Sequence, residues 1–179
     1  MYNKVVNTTW NVLEFYLMYA GDVKKDNKKS DNVLDQWILA KLQLLVKEVT
    51  NKMNEYKLAE ASRPILDFVT ELSQWYVRRS RNRFKIGDEQ DKQAAVATLR
   101  QVLSTLSKVM APFTPFIAEK MYLEVDSSKE SVHLEDWPVV DEDLIDIKVV
   151  EDMQLSRKIV ETGLSLRSEA KIKVRQPLS

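Results

Sequence analysis

Apolar side chains recur along most of the chain at steps of three and four residues, which is the period of one face of an α-helix. This pattern predicts helices over residues 4–20, 31–56, 62–85, 91–110, 114–125 and 149–170. The first segment is apolar on nearly every side, which is typical of a helix that lies centrally in a bundle or contacts a second domain. We therefore expect an all-α fold, a bundle of about five to six helices.

Pro64 complicates the third predicted helix. A proline inside a helix removes one hydrogen bond and clashes with the preceding turn. Either the helix begins near Ser62, with the proline in its first turn, or it continues through Pro64 with a kink. We favour the late start near Ser62.

The last third of the chain departs from helical periodicity. Residues 126–148 are acidic and irregular, with a possible extended piece at Val132–Leu134. In Lys171–Arg175 basic and apolar residues alternate, which predicts a short extended strand at the C-terminus. A strand without a partner is an unusual end for a native protein, so we expect the chain to be cut from a longer one. The expected organisation is a helical bundle over 1–125, an acidic connection over 126–148, and a C-terminal helix with an extended segment over 149–179.

Composition excludes several classes of protein. A hydrophobic fraction of 44% and four tryptophans exclude a disordered chain, and three glycines argue against a turn-rich β fold. The absence of cysteine removes disulfides, thiol nucleophiles and cysteine-ligated zinc, and it fits a reducing compartment, so we expect a cytoplasmic protein. No segment has the length and apolarity of a membrane span, and no signal peptide is predicted.

The formal net charge of zero conceals an uneven distribution. Residues 124–152 hold eleven acids against two lysines, a local charge of −9, so the rest of the chain carries +9. We interpret the acidic run as a solvated connection. A polyanion approaching this protein would meet one basic side and one acidic side.

The sequence offers no self-contained active site. It has a single histidine, His133, and lacks the glycine-rich motifs that hold phosphates. None of its acidic pairs has a spacing that specifies acid–base catalysis. We expect no catalytic residue, no metal ligand and no bound cofactor.

The densest polar feature is a run of five cations among the eight residues from Arg78 to Lys85, directly after Trp75 and Tyr76. Arginine offers a planar fork to phosphate and stacks on bases, so this run predicts a nucleic-acid contact. The alternative is a solvated helix end with two structural arginines. The candidate contact residues are Trp75, Arg78, Arg79, Arg81, Arg83 and Lys85.

A helical wheel divides these cations into two groups. Arg78, Arg81 and Lys85 lie within about 60° of one another on the polar face, and we expect them to contact phosphates. Arg79 and Arg83 instead continue an apolar stripe. We expect these two to be partly structural, with buried stems or with carboxylate partners on another element.

These residues also carry a family resemblance. The run Leu72–Phe84 (LSQWYVRRSRNRF) is similar to a segment of isoleucyl-tRNA synthetases, in the form that carries an arginine-rich stretch. The other matches stand in the family's order and, with this run, span nearly the whole chain: Trp10–Val12 (WNV), Leu34–Leu42 (LDQWILAKL), Leu106–Glu119 (LSKVMAPFTPFIAE), Ser131–Pro138 (SVHLEDWP) and Lys173–Leu178 (KVRQPL). The chain departs from the family at Lys85, where a tryptophan is usual, and at Pro64.

The resemblance implies the helical anticodon-binding domain of a class I synthetase. Nothing in the chain resembles the HIGH and KMSKS signatures that bind ATP, and no editing domain is recognisable. It implies isoleucine tRNA as the partner, through its anticodon stem and loop, together with catalytic and C-terminal domains of a longer chain. ATP and magnesium are implied for the full-length ligase and not for this part of it.

Two alternatives remain open from the sequence. The APFTPF motif and the first-helix motif also fit valyl and leucyl relatives, so the equivalent domain of either enzyme is a near alternative. A helical protein–protein interaction module with a solvated basic helix end is the alternative from another class.

Overall fold

The computed structural model describes residues 2–22 and 30–177, and within these ranges it contains helices and no strand. The predicted all-α fold is confirmed. The α-helices are α1 (Tyr2–Leu17), α2 (Val33–Asn54), α3 (Leu58–Glu71), α4 (Arg78–Ile86), α5 (Glu89–Met110), α6 (Pro115–Val125) and α7 (Ile147–Glu169). None of the helices in the described ranges is both long and apolar enough to cross a bilayer.

The helices α3 and α4 are two parts of one continuous helical rod. Between them, Leu72–Val77 is wound as a π-helix, and the residues at both junctions keep right-handed helical backbone angles. Pro64 lies inside α3, so the predicted start near Ser62 is wrong. Ala61 and Ile65, on either side of the proline, are buried in the core. Their burial holds this turn helical although it lacks one backbone hydrogen bond.

The core lies between α2 and α5, which pack against each other and are covered by α3 and α6. Both central helices bury an apolar stripe at helical spacing, as their sequences predict. The fully buried large side chains of these two helices are Trp37, Ile38, Leu42, Leu99, Leu103, Leu106 and Met110. The helix α1 buries only part of its surface: Trp10 on the helix and Met18, just after its end, are exposed. Contact of α1 with a second domain therefore stays a prediction.

The acidic connection is irregular but packs against α2. The Trp137 indole donates a hydrogen bond to Thr50 Oγ1 (2.7 Å), and the Asp141 amide donates to Gln43 Oε1 (2.9 Å). The predicted extended piece at Val132–Leu134 is wrong, because these residues form a 3₁₀ turn. Ser131 closes the turn by accepting the Leu134 amide at its carbonyl oxygen.

The C-terminal segment is not the strand that alternation predicts. After α7 the chain turns back, because Lys171 adopts a left-handed conformation (φ 56°) and the Ile172 amide donates to the Arg167 carbonyl (2.8 Å). The Arg167 guanidinium then donates to the carbonyl oxygens of Lys173 and Gln176. These hydrogen bonds hold the backbone of the C-terminal segment in turns. The prediction of a short extended segment is therefore wrong. The KVRQPL motif ends outside the described residues, at Leu178.

Candidate nucleic-acid interface

The three cations predicted to face outward do so. Arg78, Arg81 and Lys85 are exposed on α4. Ser80 and Phe84, on other faces of the same helix, are buried, and the Phe84 ring contacts the Phe15 ring of α1 edge to face at 5.0 Å. The inward side of α4 is thus fixed to the core, while the outward side presents three positive charges to solvent.

Arg83 is held in a network of carboxylates. Its Nη1 and Nη2 atoms donate to the two oxygens of Asp35, each at 2.8 Å, and its Nε donates to Asp91 at 2.9 Å. Only 12% of the Arg83 side chain is exposed, and Asp35 is fully buried. Tyr76 and Ser30 complete the network by donating their hydroxyl protons to Asp35 at 2.7 and 2.6 Å. The prediction that Arg83 pairs with carboxylates of another element is confirmed.

Electrostatics keep two members of this network, Arg83 and Tyr76, protonated. Burial by itself lowers the pKa of the Arg83 guanidinium, but hydrogen bonds to Asp35 and Asp91 outweigh burial and raise the pKa overall. Burial raises the pKa of Tyr76 well above its usual value, and the negative charge of Asp35 raises it further. Both groups therefore remain protonated, so both remain hydrogen-bond donors to Asp35 near neutral pH.

Arg79 has a different environment from the predicted one. Arg79 is exposed, so the prediction that its aliphatic stem is buried is wrong. Its guanidinium carbon lies 5.4 Å from the centre of the Trp75 ring. The predicted directions assume 100° per residue throughout, whereas the wider π-helical winding of Leu72–Val77 changes the angular relation between α3 and α4. As a result Arg79 lies over an aromatic ring and is not inserted between helices.

A second arginine, which the sequence did not single out, also contacts Trp75. The guanidinium carbon of Arg157, on α7, lies 5.0 Å from the centre of the half-buried Trp75 ring. The same guanidinium forms a hydrogen bond with Glu71, whose carboxylate is also paired with Lys41 at 3.0 Å. The Trp75 ring is therefore engaged by arginines from two helices, and α7 is attached to the rod next to the outward cations.

Asp35, the more distant partner of Arg83, was missed because it lies 48 residues away in sequence, although one signal was present. Asp35 lies on the stripe that Ile38 and Leu42 continue, so a carboxylate there is directed at the core. Buried carboxylates are almost always paired. Its place on the apolar face was therefore evidence for a cationic partner.

Among the described residues, no three histidine, aspartate or glutamate side chains are grouped so that they could hold a metal ion. What the structure presents is a helical bundle with an exposed row of cations backed by a buried ion network. Residues 35–179 match the family model described as the anticodon-binding domain of tRNA ligase, and the chain belongs to this family.

Individual relatives indicate which kind of tRNA ligase the chain resembles. The chain is 44% identical to an isoleucine–tRNA ligase of Clostridium tetani and 46% identical to one of Clostridium novyi. Both alignments cover 98% of this chain. It is 43% identical to an isoleucine–tRNA ligase 2 of Bacillus cereus over 99% of its length. The matched part makes up only 17–18% of these relatives, so the chain spans less than a fifth of their length.

Proposed function

We propose that this domain binds the anticodon stem and loop of isoleucine tRNA. The observation that carries the proposal is the row of Arg78, Arg81 and Lys85, exposed on a helix whose opposite side is buried. Relatives that are 43–46% identical over nearly the whole chain are named isoleucine–tRNA ligases, which supports isoleucine tRNA as the partner. The domain itself carries out no chemistry in this proposal.

The two kinds of contact would have different tasks. The outward cations would contact phosphates, which fixes the register of the RNA without reading its sequence. Unstacked loop bases would be read by stacking and hydrogen bonds, and aromatic rings and guanidinium planes are the usual stacking partners. Trp75, engaged by Arg79 and Arg157, is the candidate at which a base would stack or displace a guanidinium.

The longer protein that contains this domain would join isoleucine to its tRNA in the cytoplasm, using ATP and magnesium. The described residues include no group of three histidine, aspartate or glutamate side chains that could hold a metal ion, and the sequence lacks the HIGH and KMSKS signatures. In this proposal both cofactors would therefore bind to other domains of the longer protein. Catalytic and C-terminal domains of that protein would be the remaining partners. Binding energy from the anticodon would speed the distant reaction only where it is realised in the transition state.

The salt dependence of tRNA binding tests the proposal. Arg78→Ala and Arg81→Ala should each weaken binding by a similar factor for different tRNAs and flatten the salt dependence by about one phosphate contact. Lys120→Ala is the matched control, because Lys120 is an exposed cation on α6 that pairs within its own helix. If Arg78→Ala and Arg81→Ala bind tRNA as tightly as wild type at every salt concentration, the α4 surface has no role in tRNA binding.

A further inference from the structure

The position of Arg83 around the α4 axis is opposite to that of the outward cations. At 100° per residue, Arg78, Arg81 and Lys85 lie about 140–160° from Arg83. Any rotation of α4 about its axis that moves Arg83 therefore moves the whole row of outward cations. The orientation of the row therefore depends on what fixes Arg83, in addition to the burial of Ser80 and Phe84.

The ion network fixes Arg83 from two helices at once. Asp35 is in the first turn of α2 and Asp91 is in the first turn of α5, so one guanidinium connects the beginnings of two helices to α4. The planar guanidinium bonds both oxygens of Asp35, and this bidentate geometry constrains rotation as well as distance. The turn that follows α4 also lies close to Arg83, because a Cβ added to Gly87 would be 2.5 Å from the Arg83 carbonyl oxygen.

Stability alone is a weak explanation for such a network. Buried ion pairs lose much of their attraction to the cost of desolvation, and well-packed apolar side chains often replace them without loss of stability. A polar group that fixes one geometry among several has a different effect, because it selects an orientation. Here the selected orientation is the one that directs three cations to solvent.

We propose that Asp35, Arg83 and Asp91 are positioning residues, which set the rotation of α4 and so direct Arg78, Arg81 and Lys85 to RNA phosphates. This inference rests on the proposed function. Arg83 contacts no phosphate in this arrangement, although it belongs to the same run of cations.

Two substitutions three residues apart separate positioning from simple charge. Asp91→Asn and Asp88→Asn each remove one negative charge close to the cations, so electrostatics alone predicts equal or tighter binding of isoleucine tRNA by both. Asp88 caps α5 by accepting the Asp91 amide (2.9 Å), and asparagine is an equally good cap. Of these two aspartates, it is Asp91 that accepts a hydrogen bond from Arg83. Positioning therefore predicts weaker binding and a flatter salt dependence for Asp91→Asn alone.

Binding is measured with labelled isoleucine tRNA across a salt series, at a temperature at which circular dichroism shows each variant to be folded.

Arg83→Lys is the second variant, because it keeps the charge and loses the planar fork. It should also flatten the salt dependence by about one contact or more. Lys108→Met, which breaks a half-buried ion pair with Glu135 away from α4, is the stability control and should leave the salt dependence unchanged.

The outcomes distinguish the two proposals. If Arg78→Ala flattens the salt dependence while Asp91→Asn and Arg83→Lys retain that of wild type, the positioning role is overturned and the proposed function stands. If Arg78→Ala also behaves as wild type, the proposed function fails and the positioning role fails with it. Tighter binding by Asp91→Asn, equal to that of Asp88→Asn, would show that only charge matters.

Discussion

Replacing Arg83 with methionine should destabilise the bundle far more than the same change at Arg81. Both arginines are on α4, two residues apart, but Arg83 pairs with a fully buried carboxylate and Arg81 is exposed. Removing one partner of a buried ion pair costs about 3–5 kcal/mol, because the other charge stays buried without compensation. In the Arg83→Met variant, Asp35 keeps hydrogen bonds from Tyr76 and Ser30, which places the expected loss near the lower end, about 3 kcal/mol.

The effect is large enough to measure but too small to unfold the domain under native conditions. Native domains are stable by about 5–15 kcal/mol, so Arg83→Met should still fold at 25 °C. For a chain of this length, 1 kcal/mol corresponds to a shift in Tm of about 2–4 °C, so a loss of about 3 kcal/mol lowers Tm by about 6–12 °C. Urea unfolding followed by circular dichroism gives the free energy directly.

Arg81→Met is the internal control for this measurement. An exposed substitution away from any special feature changes stability by about 0.5 kcal/mol or less. The difference between the two variants should therefore exceed about 2 kcal/mol. If both variants unfold at the same urea concentration with the same slope, the Arg83 network does not stabilise the fold, and the reasoning from burial is refuted.

Three further predictions concern other parts of the molecule. Gly87→Ala should cost about 1–3 kcal/mol in urea unfolding, because its Cβ would approach the Arg83 carbonyl oxygen; unchanged unfolding would contradict this. Hydrogen bonds from Tyr122 and Lys108 hold the pKa of Glu135 at about 2, so wild type loses this stabilisation as pH falls from the ordinary value of 4.5 towards 2. Glu135→Gln should lack that loss, and identical acid-unfolding profiles would refute it. Finally, the purified chain should show no isoleucine-dependent pyrophosphate exchange, and measurable exchange would contradict its assignment as a binding domain.

Helices were predictable because their apolar period is also their pattern of burial. In α5, Leu99, Val102, Leu103 and Leu106 recur at helical steps and are fully buried, so local sequence and tertiary packing agree. The same holds for Thr114 and Pro115, which begin α6 where the sequence places its first turn. Segments of this kind require no knowledge of distant residues.

The errors occurred where distant or backbone contacts decide the structure. Pro64 remains helical because Ala61 and Ile65 are buried against other helices, which a local rule about proline does not include. The alternation in Lys171–Arg175 resembles a strand, but Arg167, several residues upstream, accepts and donates the hydrogen bonds that bend the chain back.

The outward side of the candidate site was predictable, and for Arg83 the kind of partner was predictable but not which carboxylates supply it. The grouping of Arg78, Arg81 and Lys85 follows from helical geometry within one short segment, and the structure shows all three exposed. Asp35, one partner of Arg83, and Arg157, one partner of Trp75, lie 48 and 82 positions away in sequence. The packing of α2 against the rod and of α7 against α2 brings them together.

Discrimination between tRNAs tests the central claim most directly. The measurement compares the Kd of the chain for isoleucine tRNA, for valine tRNA, and for isoleucine tRNA with substituted anticodon bases, all at one salt concentration. We predict that isoleucine tRNA binds about tenfold more tightly than the other two, since one lost base contact costs about 1–3 kcal/mol. Equal binding of all three RNAs would contradict anticodon recognition, and tighter binding of valine tRNA would assign the domain to a valine enzyme.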